Sequence, residues 1–421
     1  MRTLTMIAVS LFLMFGFLSA PLQAEGDTIS MNPAYVTDIY YNMETGIELS
    51  SPREIWDIAF AVPVFSAAIL INDGSGVELY TWGNGDTAGW ANVDTVGMST
   101  WGPLFNDPDE WENGAFNRNA GGHPDYGWGI YNAINHDVVG DSLYIVKRPD
   151  GSLYKLWIQR KTYNGPNSVY HFKIANLDGS GETTQTIDCS PYASKNFIYY
   201  SIPANQVIDR EPAKTDWDLL FTKYMAMHPT GTPYIVTGVL SNAHLGVAEV
   251  KGVSQYLYNT YQGHTYDSSR SVIGYDWKSF DLGTFSWWVD DSTVFFLKTA
   301  DGDVWKLFFE VFEGTSTGNI EFQKTKLATS GIEEVVAGTQ AIHIYPNPAS
   351  SHTNVLSNLE AGSQGVLHIL DLNGRVMQSK TIIGRPGTEE TTLSLEGMIP
   401  GMYLIHLQAK GLSGTSKLMV K

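Results

Sequence analysis

Most of the chain alternates apolar and polar residues over short runs, and few stretches keep a 3.6-residue period for ten residues or more. Such alternation, interrupted by Gly, Pro and Asn, is typical of half-buried β-strands joined by tight turns. The aromatic runs Trp56–Phe60 and Trp217–Phe221 predict two such strands. The Asp-Gly pairs at 150–151 and 301–302 predict hairpin turns, because glycine adopts the positive φ that a primed turn requires. The pattern therefore predicts an all-β, antiparallel fold.

The same series of runs occurs twice. The shared anchors are an Ile-Tyr-Tyr run, a Trp-Asp strand, a short Asn-containing segment and an Asp-Gly hairpin, at 39–41, 56–60, 70–77 and 141–157 in the first copy and at 198–200, 217–221, 240–247 and 291–308 in the second. Four anchors in one order indicate a duplication. We therefore predict two tandem β repeats, at residues 25–185 and 190–327, with an insertion at 80–128 in the first.

Asp57 and Asp218 occupy the same position in the two copies. They could act as a pair of catalytic carboxylates. The commoner role of an Asp beside a Trp at the start of a strand is to accept backbone N–H bonds and fix a turn.

Further motifs of the second copy carry a family resemblance. They are Asp216–Phe221, Ile273–Trp277, Phe296–Gly302 and Phe312–Gly318. On these residues the region 198–327 resembles the HmuY family of haem-binding proteins, and the first copy resembles it more loosely. The resemblance implies an all-β secreted or surface protein, and the founding type of the family captures haem between two histidines. The shared residues are strand and turn anchors, and none of them is a haem ligand.

Candidate haem ligands follow the second Trp-Asp strand. Haem requires axial ligands such as His, Met or Tyr in an apolar pocket. Alternation places Tyr224 and His228 on one face of a strand, and His244 lies on the expected return of the hairpin. One hypothesis is that His228 and His244, or a methionine such as Met227, bracket an iron. The alternative is that the histidines are exposed in loops and the methionines fill gaps in the core. The first copy has Ala67 in place of His228. Its own histidines lie much later, at His123 and His136.

The insertion at 80–128 is rich in tryptophan, glycine and asparagine. Its tryptophans are Trp82, Trp90, Trp101, Trp111 and Trp128. Exposed rings beside Asp and Asn suit sugar recognition, since the apolar face of a sugar stacks on a ring while polar groups fix its hydroxyls. Trp101 and Trp111 are the candidate residues for a glycan site. The alternative is that the tryptophans form private cores for long, glycine-rich loops.

Composition narrows the range of partners. The formal net charge of −18 argues against nucleic acid, whose binding depends on Lys and Arg at phosphates, and it disfavours anionic lipid. The single Cys189 excludes an intrachain disulfide and is expected to be buried as a small hydrophobe. The sequence has no zinc-protease, nucleophile-elbow or phosphate-loop motif. We therefore expect neither a metal nor an enzyme, although paired carboxylates of a glycosidase leave little trace in a sequence.

The beginning of the chain is typical of a secretory signal peptide at residues 1–24. Arg2 supplies the positive charge, Met6–Leu18 the apolar segment and Leu22–Ala24 a small-residue cleavage site. No other segment approaches 18 apolar residues, so we expect no transmembrane segment in the mature chain.

After a predicted linker at 328–341, the last 80 residues contain four separated motifs. In order they are Tyr345-Pro346-Asn347-Pro348, the turn Asp371-Leu372-Asn373-Gly374-Arg375, the strand entry Gly401-Met402-Tyr403 and the terminal Lys417 and Lys421. Residues 342–421 thereby resemble the type A C-terminal sorting domain of the type IX secretion system of Bacteroidota. The resemblance implies an immunoglobulin-like β-sandwich, an interaction with the type IX secretion machinery, and export to the medium or the cell surface. The alternative is an ordinary immunoglobulin-like appendage.

Together these features predict a secreted or cell-surface binding protein. Haem or a related apolar nutrient is the first candidate ligand, and haem is the one cofactor considered. A glycan bound by the Trp-rich insertion is the second, and a glycoside-directed enzyme is a third class.

Overall fold

The computed structural model describes residues 25–328, 342–357, 359, 362–371, 375–384, 389–409 and 412–421. The chain forms two compact units that divide between residues 329 and 330. The predicted signal peptide, the linker beyond residue 328 and Gly374 lie outside the described residues. None of the helices in the described ranges is long and apolar enough to cross a membrane.

The first unit is built of strands with short 3-10 turns between them. Its strands are β1 Glu25–Ser30, β2 Thr37–Tyr41, β3 Glu48–Pro52, β4 Ile58–Ala61, β5 Ile69–Ile71, β6 Glu78–Thr81, β7 Gly129–Tyr131, β8 Val138–Gly140, β9 Tyr144–Lys147, β10 Leu153–Asn164, β11 Asn167–Asn176, β12 Thr183–Asp188, β13 Phe197–Ser201, β14 Gln206–Ile208, β15 Leu219–Met227, β16 Pro233–Ser241, β17 Gly246–Lys251, β18 Lys278–Asp281, β19 Ser286–Val289, β20 Thr293–Lys298, β21 Val304–Phe312 and β22 Asn319–Ala328. The 3-10 turns are Pro33–Tyr35, Arg53–Ile55, Asp73–Ser75, Thr87–Asn92, Met98–Thr100, Ala115–Asn117, Ser190–Tyr192 and Gly314–Ser316. The strands pair antiparallel throughout, which confirms the predicted all-β fold.

Two modules of the same design make up the first unit. In the first module the strands β12–β11–β10–β9–β6 form one sheet, extended by β7 and β8, and β14–β13–β4–β5 form another. In the second module the corresponding sheets are β1–β22–β21–β20–β17 and β16–β15–β2–β3. Each pair of sheets encloses one apolar core. Cys189 is buried in the first of these cores, as predicted.

The two copies exchange their first strands, which are β1–β3 of the first copy and β13–β14 of the second. Strand β2, the Ile-Tyr-Tyr run of the first copy, pairs with β15 of the second copy, with Tyr41 opposite Leu219. Strand β13, the Ile-Tyr-Tyr run of the second copy, pairs with β4 of the first, with Tyr200 opposite Ile58. The first module is therefore residues 53–208, and the second joins residues 25–52 to 219–328.

The predicted division between residues 185 and 190 does not separate these modules, and that prediction is wrong as a boundary between folding cores. Both copies carry the same strand anchors, so the repeat pattern is equally compatible with pairing within a copy and pairing between copies.

Asp57 and Asp218 fix this exchange. The Oδ2 atom of Asp57 accepts the backbone N–H of Ile202 at 2.8 Å, and Oδ2 of Asp218 accepts that of Met43 at 2.7 Å. Each N–H belongs to the second residue after the Ile-Tyr-Tyr run of the other copy. The turn-fixing role predicted for these carboxylates is thus observed, and it acts between the copies.

The modules meet around a local two-fold axis. The hydroxyls of Tyr40 and Tyr199, equivalent residues of the two copies, lie 3.2 Å apart. The Tyr40 ring contacts Trp217 as the Tyr199 ring contacts Trp56, with centroids 5.2 and 4.9 Å apart, and such reciprocal contacts are those that a two-fold axis produces. Beside them, Asp38 binds the guanidinium groups of Arg210 at 2.7 Å and Arg53 at 3.0 Å, and all three side chains are buried. A buried carboxylate between two guanidinium groups favours one register of the two modules, because a shift would leave charges unpaired.

The second unit, considered by itself, has two sheets around a separate core. Its strands are β23 His343–Tyr345, β24 His352–Ser357, β25 Gln364–Leu370, β26 Val376–Ile383, β27 Glu389–Ser394, β28 Gly401–Ala409 and β29 Leu412–Val420, in the orders β23–β24–β27 and β26–β25–β28–β29. The side chain of Asn347 donates to the carbonyl of Lys417 and accepts the N–H of Met419, both at 2.8 Å. The first predicted sorting motif is therefore hydrogen-bonded to the strand that contains the last one.

Candidate functional site

The predicted haem ligands lie on the β15–β16 hairpin and are not brought together. His228 follows β15 at the turn, where its Nδ1 contacts the Thr230 hydroxyl at 2.7 Å. His244 follows β16 and lies beside Asp218, with its Nε2 atom 3.3 Å from Oδ1. The two histidines are at opposite ends of a nine-residue strand, and at about 3.3 Å per residue they are roughly 30 Å apart. The hypothesis that they bracket one iron is wrong.

The other two residues of this set point to opposite faces of β15. Tyr224 is buried near the interface between the modules. Met227 is 52% exposed and borders a largely apolar cleft of ≈ 480 Å³. Alternation along a strand explains this separation, because residues three apart cannot share a face.

The tryptophans of the insertion serve mainly as core. Trp82, Trp90 and Trp128 are buried. Trp111 donates its Nε1–H to the Ser241 carbonyl at 2.9 Å, and Trp101 is half-buried against the cluster that contains Trp90. The private-core alternative therefore describes most of these rings, and Trp111 is held by the Ser241 carbonyl and by Arg270, which lies 4.5 Å from its ring centroid.

A different set of aromatic side chains lines a pocket of ≈ 230 Å³ in the first module, which we call the aromatic pocket. Its ring-bearing residues are Phe65, His123, Tyr126, Tyr131, His136 and Tyr163. They come from the β4–β5 loop, the end of the insertion, the β7–β8 hairpin and the end of β10. The sequence reasoning noted His123 and His136 and assigned them no role, because the six residues are spread over about 100 positions.

The rings of the aromatic pocket form a continuous wall. The His123 and Tyr131 ring centroids are 5.3 Å apart, and the Tyr131 hydroxyl lies 2.6 Å from Nδ1 of His136. The His136 and Tyr163 centroids are 5.4 Å apart, and Phe65 stacks on Tyr163 at 6.4 Å. Phe65 is 76% exposed and Tyr163 41% exposed, so much of the aromatic surface faces solvent.

Lys161 lies at the base of the aromatic pocket. Its Nζ donates to the carbonyls of Pro63, at 2.9 Å, and Ser66, and lies 5.0 Å from the centroid of the Tyr170 ring. Burial lowers the pKa of this ammonium to about 8. Within the described residues it is the one lysine, arginine or carboxylate side chain that lines the pocket. The pocket thus combines ring faces with hydroxyl and imidazole groups and a single buried cation.

A second concavity, the polar cleft, occupies ≈ 770 Å³, is lined mostly by the second module and contains His244. Its lining includes Asn42, Glu44, Asn196, Lys214, Asp218, Asn242, Asp301, Asp303, Trp305 and Lys326. Lys326 pairs with Glu44 at 2.5 Å and with Asp303 at 2.7 Å. The remaining charged lining residues are Asp218, Asp301 and Lys214, so the cleft has an excess of carboxylates.

Comparison with known proteins identifies the end of the chain. Residues 343–421 match the family model of the secretion system C-terminal sorting domain, which confirms the predicted type IX sorting domain. The protein is accordingly exported by the type IX route, to the cell surface or the medium. The match does not extend to earlier residues, and their resemblance to the HmuY family stays a prediction.

The other comparisons concern the whole chain. No curated protein matches it. A solved structure described as "Biofilm associated protein - BSP domain" is similar over 91% of this chain and 65% of its own, at 11% identity and a TM-score of 0.17. This chain therefore spans less than two thirds of the length of that structure.

Proposed function

We propose that this protein is an exported glycan-binding protein whose aromatic pocket holds one sugar unit of a larger glycan, without catalysis and without a cofactor. The observation that carries the proposal is the wall of six rings around a cavity of ≈ 230 Å³. Pockets for drug-sized ligands occupy roughly 300–1,000 Å³. A smaller, open pocket suits a single ring of an oligosaccharide whose other units remain outside.

The chemistry of the lining supports a sugar. The C–H face of a sugar ring packs on aromatic faces, and Phe65 and Tyr163 offer such faces to solvent. Sugar hydroxyls need donors and acceptors at fixed positions, which the Tyr126 and Tyr131 hydroxyls and the His123 and His136 imidazoles supply.

Haem fits the same residues less well. An iron between two histidines requires both imidazoles to face one gap, whereas the Tyr131 ring contacts both His123 and His136. The two histidines predicted as haem ligands from the sequence, His228 and His244, lie roughly 30 Å apart. A hemin titration therefore accompanies the glycan experiment.

The experiment uses the mature chain on an immobilised glycan array, followed by calorimetric titration of the strongest hit. Phe65→Ala and Tyr163→Ala should each weaken binding about tenfold, since a stacking contact is worth roughly 0.5–1.5 kcal/mol beyond its buried area. Phe285→Ala is the matched control, because this ring is 77% exposed and lies on the β18–β19 hairpin, away from the pocket. A second measurement titrates the same chain with hemin and follows the absorption spectrum.

Binding that is lost in both pocket variants and kept in the control supports the proposal. A blank array, or equal losses in Phe285→Ala and Phe65→Ala, would overturn it. A saturable hemin spectrum that disappears in His136→Ala would replace the glycan with haem.

A further inference from the structure

Two hairpin turns of the first unit, one in each module, have the same pattern of backbone hydrogen bonds. In the β9–β10 turn, the N–H of Arg148 bonds to the Ser152 carbonyl at 3.0 Å and that of Gly151 to the Arg148 carbonyl at 2.9 Å. In the β20–β21 turn, Thr299 bonds to Asp303 and Gly302 bonds to Thr299, both at 3.0 Å. Thr299 therefore occupies the position of Arg148, and Asp301 that of Asp150.

In the first module this position is filled by a guanidinium group. Nε of Arg148 donates to Oδ1 of Asp57 at 2.8 Å, and Nη1 donates to Oδ2 of Asp150 at 2.6 Å. The Arg148 side chain is largely buried by these contacts, and the concavity that remains there is ≈ 210 Å³. A planar fork between two carboxylates is the arrangement that Arg favours.

The second module has the two equivalent carboxylates, Asp218 and Asp301, but Thr299 in place of the arginine. Asp218 corresponds to Asp57, and the same type of bond, from the Met43 N–H at 2.7 Å, holds its Oδ2 atom. Its Oδ1 atom, which corresponds to the acceptor of Arg148, lies 3.3 Å from Nε2 of His244. Asp301 is exposed at the edge of the polar cleft. With Thr299 in place of the arginine, the concavity is ≈ 770 Å³.

We propose that the polar cleft binds the guanidinium group of an arginine side chain on an external peptide, with Asp218 and Asp301 in the roles that Asp57 and Asp150 have around Arg148. The first module supplies the independent evidence, because there the guanidinium group of Arg148 lies between the equivalent carboxylates, Asp57 and Asp150. The excess of carboxylates in the lining also favours a cation. On binding, the arginine of the peptide replaces His244 as the group beside Oδ1 of Asp218, from which Nε2 of His244 lies 3.3 Å away. The site is separate from the aromatic pocket and does not depend on the glycan proposal.

The ligand test compares two peptides that differ in one side chain, acetyl-Gly-Arg-Gly-amide and acetyl-Gly-Lys-Gly-amide, titrated calorimetrically into the mature chain. The arginine peptide should bind saturably and the lysine peptide at least about tenfold more weakly, because the planar guanidinium directs separate nitrogens at the two carboxylates, as Nε and Nη1 of Arg148 do, whereas an ammonium has one nitrogen for both. No binding of the arginine peptide, or equal affinity for both, would overturn the proposal.

Variants locate the site. Asp301→Asn should weaken the arginine peptide about tenfold, while Asp150→Asn, the equivalent change in the first module, should not alter its affinity. Thr299→Arg should abolish binding, because the new side chain occupies the cleft as Arg148 does in the other module. These variants leave the strand-fixing carboxylate Asp218 intact, so folding is preserved. Unchanged binding in Thr299→Arg, or equal effects of Asp301→Asn and Asp150→Asn, would refute the assignment.

Discussion

The exchange of strands makes a strong prediction about fragments of the chain. Residues 53–208 contain every buried side chain of the first core, whereas residues 25–185, the repeat suggested by the sequence, lack its last members. The missing large side chains are Ile187, Ile198, Tyr200 and Ile202. Burying a large apolar side chain contributes roughly 1.5–3 kcal/mol, so their loss removes about 6–12 kcal/mol. That is comparable to the whole stability of a domain, about 5–15 kcal/mol.

The assay is urea unfolding of the two fragments, followed by tryptophan fluorescence and circular dichroism. Residues 53–208 should show one cooperative transition, and residues 25–185 should show none. Within the first fragment, Ile198→Ala should lower the free energy of unfolding by about 2–5 kcal/mol. The reasoning would be refuted by cooperative unfolding of residues 25–185 together with an unfolded 53–208 fragment.

Four further predictions concern stability and export. Burial raises the pKa of Glu211 from 4.5 to about 7, so its contribution to the free energy of unfolding is complete below pH 4.5 and is lost as the pH rises through 7. In urea titrations between pH 4.5 and 7, the free energy of unfolding of the wild type should therefore fall by about 3 kcal/mol, and Glu211→Gln should not show this fall. Burial lowers the pKa of Lys278 from 10.5 to about 7. The free energy of unfolding of the wild type should therefore rise as the pH increases from 7 to 10.5, and the same urea titrations should show a smaller rise in Lys278→Met. Gly74→Ala should cost at least about 3 kcal/mol in thermal or urea unfolding, since its Cβ would lie 1.8 Å from the Lys223 carbonyl oxygen, whereas Gly83→Ala, with open space around it, should be close to neutral. Deletion of residues 342–421 should leave the first unit folded in the periplasm, and recovery of the truncated protein from the medium in cell fractionation would contradict this.

The fold class and the repeat anchors could be predicted from the sequence because they depend on local patterns. The Trp-Asp runs lie at the starts of β4 and β15, and the Asp-Gly pairs form the β9–β10 and β20–β21 turns. The partners of β2 and β13 could not be predicted, since both pairings bury the same apolar residues in the same alternation. Only three-dimensional contacts such as that between the Ile202 N–H and Asp57 distinguish them.

The candidate sites were harder to predict than the fold. Tryptophan content indicated the insertion as a binding surface, yet long loops need large rings to form a core, and Trp82 and Trp128 serve that purpose. The aromatic pocket uses Phe65 and Tyr163, which are 98 positions apart in a chain with many aromatic residues. His244 was identified from the sequence, and the two Asp-Gly anchors place Thr299 opposite Arg148. The sequence could not show that Arg148 binds Asp57, the counterpart of the Asp218 carboxylate that His244 contacts.

The order in which the chain is synthesised gives the strand exchange a further consequence. The first module is contiguous and can close once residue 208 has emerged in the compartment where the chain folds. Strands β2 and β3 pair with each other, but the other edge of β2 has no partner until β15 follows, more than 160 residues later, and β1 has none until β22. Until then, the unpaired edges of β1 and β2 are open to pairing with another chain, so a chaperone that covers the N-terminal segment should raise the yield of folded protein.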